Sequence, residues 1–355
     1  MATRALSLSQ RLIRYATILC GRTPAAILNL FADAPTNKAG SRMAPEIALL
    51  MKAMAAGPDY SDHDPIRARE MTDADSATFA DVLPPLHLVE DLELPGGLAA
   101  TRYRASAESA GLLVYFHGGG FVLGNRAGYD APARLLAIHS GLDVLSVEYR
   151  LAPEHPFPAP LEDALTAWDF AVALAPVWGI PATRVAVGGD SAGANIATVL
   201  ARRLRGRSVV PAAQALLYPV TDLSVFYDSH REFSTSPALS VKQIGWFVEH
   251  YLPPGIERHD PRVSPMQAQD LSGLPPAVVA VAGFDPLRDE GIDYAERLAA
   301  EGVPTRLLCE EELVHGFISF TAFSRTSREA TVRFAEAIAE LMLVSRPNPL
   351  EKAKR

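Results

Sequence analysis

The sequence has few cysteines, no long apolar run and no excess of positive charge, and each absence excludes a class of protein. Its 355 residues include only Cys20 and Cys309, too few for a disulfide framework, which favours a reducing compartment such as the cytoplasm. No run of about 18 apolar residues occurs, so we expect no stable membrane insertion. The formal net charge of −8 argues against a nucleic-acid partner, which needs a basic face. No spacing typical of metal-binding cysteines or histidines occurs, so no metal site is expected.

The first 85 residues are interpreted as an N-terminal extension followed by helices of a cap. Residues 1–40 are predicted to form an amphipathic helix, a turn at Arg22–Pro24 and a short second helix. Arginines interrupt the apolar residues of the first helix, whereas a secretory signal needs an uninterrupted apolar core. A helix is predicted over Met43–Ala56 from its apolar spacing. Residues 57–85 are expected to contain short helical pieces at most.

From residue 86 onward, short apolar segments alternate with longer helical patterns. Segments that are apolar on both faces are typical of buried parallel strands, so the alternation predicts an α/β protein with a mostly parallel central sheet flanked by helices. The core is assigned to residues 86–222 and 261–345. A helical insertion over residues 223–260, with a helix predicted at Val241–Tyr251, is interpreted as part of the cap. Residues 346–355 are expected to be a disordered tail.

A predicted apolar strand leads into the segment Gly189-Asp190-Ser191-Ala192-Gly193, which a helical pattern follows. A G-x-S-x-G pattern between a strand and a helix predicts a tight turn that exposes the serine hydroxyl. We therefore predict that Ser191 is a nucleophile. Asp190, although adjacent to it, is interpreted as an acceptor for loop N–H groups rather than as a catalytic acid.

A serine hydroxyl needs a neighbouring base, and two residues further along the chain suit that task. Asp285 follows the predicted strand Val278–Val281, and His315 follows the apolar run Thr305–Cys309. Both therefore lie at the carboxyl ends of strands, where open α/β sheets place their sites. We predict that His315 takes the proton of Ser191 and that Asp285 orients and stabilises the imidazole.

A glycine run follows the strand predicted at residues 112–116, in the segment His117-Gly118-Gly119-Gly120-Phe121. Glycines allow several backbone N–H groups to converge on one point, as an oxyanion hole requires. We expect the N–H groups of Gly118, Gly119 and Ala192 to form this hole, in which one donor typically lowers the barrier by about 3–4 kcal/mol. His117 is expected to hold the loop by hydrogen bonds from the wall of the site.

Together these motifs resemble the hormone-sensitive-lipase family of α/β-hydrolases, in particular its bacterial family IV esterases. The matching segments, spread over residues 45–345, also include Tyr149-Arg150-Leu151-Ala152-Pro153-Glu154-His155-Pro156-Phe157-Pro158, Asp285-Pro286-Leu287-Arg288-Asp289-Glu290-Gly291 and His315-Gly316-Phe317. The resemblance implies an α/β-hydrolase fold with a mostly parallel sheet of about eight strands and a helical cap. It implies hydrolysis of short- to medium-chain carboxylic esters without metal or organic cofactor. Homodimers are common in the family, and here the pairing edge would be Pro304–Glu310.

Aromatic residues near these motifs are candidates for a substrate pocket. Phe121 ends the glycine run, and Trp246 and Phe247 lie on the helix predicted at Val241–Tyr251. The two helical residues either line the acyl pocket or pack within the cap. Within Tyr149–Pro158, Arg150 and Glu154 are interpreted as a buried structural ion pair or as a loop brace.

Three other functions stay open on the sequence alone. An amidase or peptidase would use the same three catalytic residues. A ligand-binding member of the fold would keep the pocket without turnover, although the plant hormone receptors of this kind have lost the histidine that His315 represents. A peripheral lipase would dock residues 1–32 at a lipid surface.

Overall fold

The computed structural model describes residues 7–344, and its centre is an eight-stranded sheet. The strands are β1 Leu88–Leu94, β2 Leu98–Arg104, β3 Leu112–Phe116, β4 Asp143–Glu148, β5 Val185–Asp190, β6 Gln214–Leu217, β7 Ala277–Phe284 and β8 Thr305–Val314. They lie in the order β1-β2-β4-β3-β5-β6-β7-β8. β2 pairs antiparallel with both β1 and β4, and the other neighbours are parallel. The mostly parallel sheet of eight strands predicted from the sequence is confirmed.

Helices cover both faces of this sheet. The α-helices of the described residues are α1 Leu8–Arg22, α2 Ala25–Leu28, α3 Pro45–Ala55, α4 Pro65–Phe79, α5 Asp130–Ser140, α6 Ala159–Leu174, α7 Ala192–Arg203, α8 Asp228–Glu232, α9 Val241–Tyr251, α10 Arg288–Ala300 and α11 Arg325–Val344. Buried residues of α6, α7 and α10 belong to the core on one face, and those of α3, α5 and α11 to the core on the other. The sheet is therefore the middle layer of three.

Strand β3 shows why these strands are apolar throughout. Leu112 and Val114 belong to the core shared with α6, α7 and α10, whereas Leu113 and Tyr115 belong to the core shared with α5 and α11. Successive side chains of a strand point to opposite faces, so a strand between two helical layers has no polar side. The short apolar runs of the sequence mark the strands for this reason.

Helix α4 contradicts the expectation that residues 57–85 contain only short helical pieces. It has 15 residues and begins at Pro65, directly after Asp64, whose carboxylate accepts hydrogen bonds from the N–H groups of Ile66 and Arg67. This start combines a capping aspartate with a proline at the first helical position. Its buried residues are Ala68 and Thr78, too few and too small to give the apolar periodicity that marks the other helices.

The ion pairs of the loop after β4 contradict one interpretation of Arg150 and Glu154, a mutual ion pair, and agree with the other, a loop brace. Arg150 pairs with Asp163, at the start of α6, at 2.7 Å, rather than with Glu154. Glu154 instead accepts two hydrogen bonds from Arg69 of α4, at 2.8 and 2.6 Å. Hydrogen bonding to Arg69 lowers the pKa of Glu154 to about 2. The loop is thus tied to α6 on one side and to α4 on the other.

The remaining predictions concern the C-terminal tail, the edge of the sheet and membrane-spanning helices. The tail predicted at residues 346–355 lies outside the described residues. β8 is an edge strand of the sheet, as the proposed dimer contact requires, and the dimer itself stays a prediction. Within residues 7–344, no helix is both long enough and apolar enough to cross a bilayer.

Candidate active site

Ser191 occupies the turn between the end of β5 and the start of α7. Its backbone has a φ of 53°, in the left-handed region that non-glycine residues rarely adopt. Two glycines make room for the turn: a Cβ on Gly189 would overlap the backbone of Gly193, and one on Gly193 would overlap the backbone of Phe116. The small residues of the G-x-S-x-G pattern are therefore required by the close approach of α7 to β3 and β5.

Replacing Gly193 by alanine should destabilise the protein and lower its activity. The added methyl group meets backbone atoms of β3, which cannot rotate away, and such overpacking typically costs about 1–3 kcal/mol or more. Thermal unfolding and ester turnover measure the two effects. Gly245→Ala is the matched control, because open space surrounds Gly245 on α9 and alanine is the better helix former. Equal melting temperatures for the two variants would contradict this account of the turn.

The structure brings together Ser191, His315 and Asp285. The Nε2 atom of His315 lies 3.0 Å from the Oγ atom of Ser191, and its Nδ1 atom lies 2.8 Å from Oδ2 of Asp285. Because a carboxylate accepts a hydrogen bond, the proton of the neutral ring belongs on Nδ1, and Nε2 accepts the serine hydroxyl. Asp285 is fully buried, and its Oδ1 atom accepts a hydrogen bond from the N–H of Leu287 at 2.8 Å.

Tyr218 supports the imidazole from the side, a contact that sequence reasoning missed. Its ring centroid lies 4.7 Å from that of His315 and 5.1 Å from that of Phe317. Tyr218 directly follows β6 and has a φ of 32°. Its position after a buried strand, at the edge that carries the other site residues, is the signal that could have identified it.

Asp190 is the centre of a buried hydrogen-bond network beside the serine. Its Oδ1 atom accepts hydrogen bonds from the hydroxyl of Tyr115 at 2.7 Å and from the N–H of Gly118 at 2.8 Å. Its Oδ2 atom accepts a hydrogen bond from the hydroxyl of Tyr129 at 3.2 Å. Burial raises the pKa of Asp190. The carboxylate holds the glycine loop and lies in no hydrogen bond with His315, in accord with its interpretation as a loop acceptor.

The hydrogen bond to Asp190 corrects the expected set of oxyanion donors, because it occupies the N–H of Gly118. The next two glycines, Gly119 and Gly120, have φ angles of 109° and 59° and line the cavity beside Ser191. Within residues 7–344, the N–H groups of Gly119, Gly120 and Ala192 donate to no protein acceptor. The N–H of Gly118 is thus already paired, whereas that of Gly120 has no acceptor among the described residues.

His117 lies behind the glycine loop, where it is fully buried. Its Nδ1 atom lies 2.8 Å from the carbonyl oxygen of Gly118, to which it donates a hydrogen bond, and its ring stacks on Tyr149 at 4.4 Å between centroids. Burial lowers the pKa of His117, which favours the neutral ring. Its contacts match the expected role of holding the loop.

A cavity of about 250 Å³ opens on the hydroxyl of Ser191. Much of its wall is apolar and includes Phe121, Leu239, Ile244 and Phe247. The ring of Phe121 stacks on Tyr251 with centroids 3.8 Å apart. The structure thus places Phe121 and Phe247 in the cavity wall.

Trp246 does not line this cavity, although it precedes Phe247 on α9. Successive residues of a helix point about 100° apart, so the two side chains face different surroundings. The ring of Trp246 lies 4.5 Å from His250 and 6.0 Å from Tyr60. Trp246 packs among the helices that cover the cavity, as the second interpretation of α9 stated.

Helix α4 contributes polar residues to the cavity wall. Thr72, Asp73 and Ser76 line the cavity, and Asn125 donates a hydrogen bond to Oδ1 of Asp73 at 2.7 Å. Desolvation raises the pKa of Asp73. Sequence reasoning missed these residues because it placed no helix there. In the described range, no cluster of His, Cys, Asp and Glu has the arrangement of a metal site.

Comparisons with known proteins agree with this geometry. The family model for the alpha/beta hydrolase fold matches residues 113–319. The carboxylic ester hydrolase LipN of Mycobacterium tuberculosis is 42% identical over 267 residues, which cover 72% of this chain and 71% of LipN. The ethyl acetate hydrolase of Pseudomonas putida is 32% identical over 312 residues, 83% of this chain and 98% of that enzyme. The structure of an ester hydrolase from the metagenome of Lake Arreo superposes with a TM-score of 0.80 at 37% identity, covering 84% of this chain and 98% of that one.

The chain therefore belongs to the α/β-hydrolases, as the sheet order, the strand-to-helix turn at Ser191 and the matched family model all require. Within that fold it is a carboxylic ester hydrolase of the hormone-sensitive-lipase type, like the esterases to which it is similar in sequence and in structure.

Proposed function

We propose that Ser191, His315 and Asp285 are the catalytic triad of this ester hydrolase. His315 takes the proton of Ser191 as its Oγ atom attacks the ester carbonyl, and then gives that proton to the leaving alkoxide. Water, deprotonated by the same imidazole, releases the acid from the acyl-enzyme. Asp285 keeps the ring in the required tautomer and stabilises its positive charge. The continuous chain of hydrogen bonds, 3.0 Å from Oγ to Nε2 and 2.8 Å from Nδ1 to the carboxylate, carries this proposal.

The proposed oxyanion hole consists of the N–H groups of Gly119, Gly120 and Ala192. Ala192 follows the nucleophile and is the first residue of α7, so its N–H has no acceptor within the helix. Gly119 and Gly120 reach the cavity in backbone conformations that favour glycine. Donors fixed in place stabilise the negative oxygen of the tetrahedral intermediate more strongly than they stabilise a neutral ester.

The substrates we propose are small esters with short to medium acyl chains. A cavity of about 250 Å³ with a mainly apolar wall suits a short hydrocarbon chain, and residues such as Leu239 and Ile244 supply that wall. In p-nitrophenyl esters from acetate to palmitate, kcat/KM should therefore be highest at or below octanoate. A maximum at palmitate, or faster cleavage of the corresponding anilides, would contradict this substrate class.

Adding bulk to the apolar wall should move that preference toward shorter esters. Ile244→Trp fills part of the cavity, so kcat/KM for octanoate should fall more than that for acetate. Glu249→Trp adds the same side chain on the exposed side of α9 and should leave the ratio unchanged. An unchanged ratio in Ile244→Trp would show that the acyl chain binds elsewhere.

We also propose that the helices before β1 and those between β6 and β7 form one cap over the core. The side-chain amide of Gln243 on α9 donates a hydrogen bond to Oδ1 of Asp59 at 3.1 Å. The ring of Tyr60 lies 5.8 Å from that of Phe247. These contacts join two segments that are far apart in sequence, and both contribute to the cavity wall.

A further inference from the structure

Helices α1 and α2, with the residues that follow them, expose an unusual number of large apolar side chains. Six of these side chains have exposed fractions of 51% to 76%, and we call them the N-terminal apolar surface: Leu12, Ile13, Tyr15, Leu19, Leu30 and Phe31. Single exposed apolar residues are normal on a protein surface, but a cluster within about 20 consecutive residues marks an interaction site.

The apolar stripe of α1 faces away from the protein. Leu12, Tyr15 and Leu19 follow the i, i+3, i+7 spacing of a helix face that is ordinarily buried. The opposite face is the one that contacts the protein. There, Arg14 donates a hydrogen bond to the carbonyl oxygen of Thr78 on α4, at 3.1 Å.

The orientation of α1 is fixed by close packing. A Cβ on Gly21 would overlap the backbone of Phe323, so only glycine allows this approach of the two segments. Rotating the helix to bury its apolar stripe would replace Gly21 at this contact by a residue with a side chain. The exposed stripe is therefore a consequence of how α1 is docked.

The charge of this segment favours an anionic occupant. The first 32 residues contain four arginines, and the first acidic residue is Asp33, although the whole chain has a net charge of −8. A second copy of the same surface would bring arginines against arginines across a two-fold axis. Arginines beside a helical apolar stripe are instead typical of helices that lie in the interface of an anionic bilayer.

We propose that the N-terminal apolar surface binds reversibly to anionic lipid membranes. The aliphatic and aromatic side chains enter the boundary between headgroups and acyl chains, and exposed arginines such as Arg22 contact lipid phosphates. α1 packs on α4, and the face of α4 that carries Thr72 and Ser76 lines the cavity of the active site. The docked surface thus lies one helix away from the cavity. This binding does not depend on the proposed catalytic residues.

Cosedimentation of the full chain with sucrose-loaded vesicles tests the proposal. The protein should pellet with vesicles that contain about one third phosphatidylglycerol, bind less to phosphatidylcholine alone, and be released by about 0.5 M NaCl. The triple variant Leu12→Ser, Tyr15→Ser, Leu19→Ser should bind at least about tenfold more weakly, because it lacks three apolar side chains that the membrane would bury. It should hydrolyse water-soluble p-nitrophenyl acetate at the parental rate, which shows that it is folded.

Val177→Ser is the matched control, because Val177 is 76% exposed and lies beyond the end of α6, outside this surface. It should bind vesicles as the parent does. Parent protein that stays in the supernatant with anionic vesicles, or a triple variant that binds as well as the parent, would overturn the proposal. So would a parental dimer that the triple variant converts to a monomer, since the surface would then be a contact between two copies.

Discussion

Replacing Ser191 by alanine should reduce kcat for p-nitrophenyl butyrate by on the order of 10⁴- to 10⁶-fold. Without Oγ no acyl-enzyme can form, and His315 has no hydroxyl to deprotonate. The oxyanion donors and the cavity are left in place, so the remaining rate measures what they contribute to a direct attack by water. Initial rates at saturating ester, with a melting curve for each protein, provide the measurement.

Ser146→Ala is the matched control for this change. Ser146 is fully buried, on β4, and its hydroxyl has no hydrogen-bond partner in the described part of the chain. Removing it tests the loss of a buried hydroxyl without the loss of a nucleophile, so kcat should stay close to the parental value. Parental turnover by Ser191→Ala would refute the proposed mechanism.

Asp285→Asn should be the second most damaging substitution, with a loss in kcat of about 10⁴-fold. An amide in this position donates a hydrogen bond to Nδ1 of His315, so the ring proton moves to Nε2. The imidazole then presents a proton to Ser191 where the reaction requires a lone pair. The fold should survive, because the amide has nearly the same shape as the carboxylate and can still accept the N–H of Leu287.

Asp190→Asn tests whether the loss of activity in Asp285→Asn comes from its contact with His315 or only from the removal of a carboxylate near Ser191. Asp190 is adjacent to Ser191 and buried like Asp285, but its partners are Gly118 and the hydroxyls of Tyr115, Tyr129 and Tyr218 rather than the imidazole. Its substitution should lower the melting temperature, because an amide group cannot accept from all of these donors, and should reduce kcat far less than Asp285→Asn. The opposite order of kcat values, with both proteins folded, would exchange the proposed roles of the two aspartates.

The sequence predicts most of the core because the sheet is buried on both faces. Each strand reads as a short apolar run, and the helices between them have a regular apolar face. The residues Ser191, Asp285 and His315 could be chosen for the same reason: each follows such a run, and parallel strands bring their carboxyl ends to one edge of the sheet. Their positions after strands therefore predict that they lie near one another.

What the sequence analysis missed depends on directions in space that residue types do not encode. Gly118 and Gly120 are the same residue type, and only the path of the loop shows which of their N–H groups donates a hydrogen bond to Asp190. Trp246 and Phe247 are adjacent aromatic residues, and only the rotation of α9 places one of them in the cavity. Apolar periodicity marks helices that pack on a core, so it fails for α4, whose inward face meets a cavity and a loop.

The carboxylate of Asp190 has a consequence for how the active site is assembled. It is one residue from the proposed nucleophile, and it also holds the first glycine of the loop proposed to stabilise the negative charge. The proposed nucleophile Ser191 and the glycine loop are therefore both held by Asp190, which is buried. In the proposed mechanism, this hydrogen bond fixes their separation when the protein folds, before the ester binds.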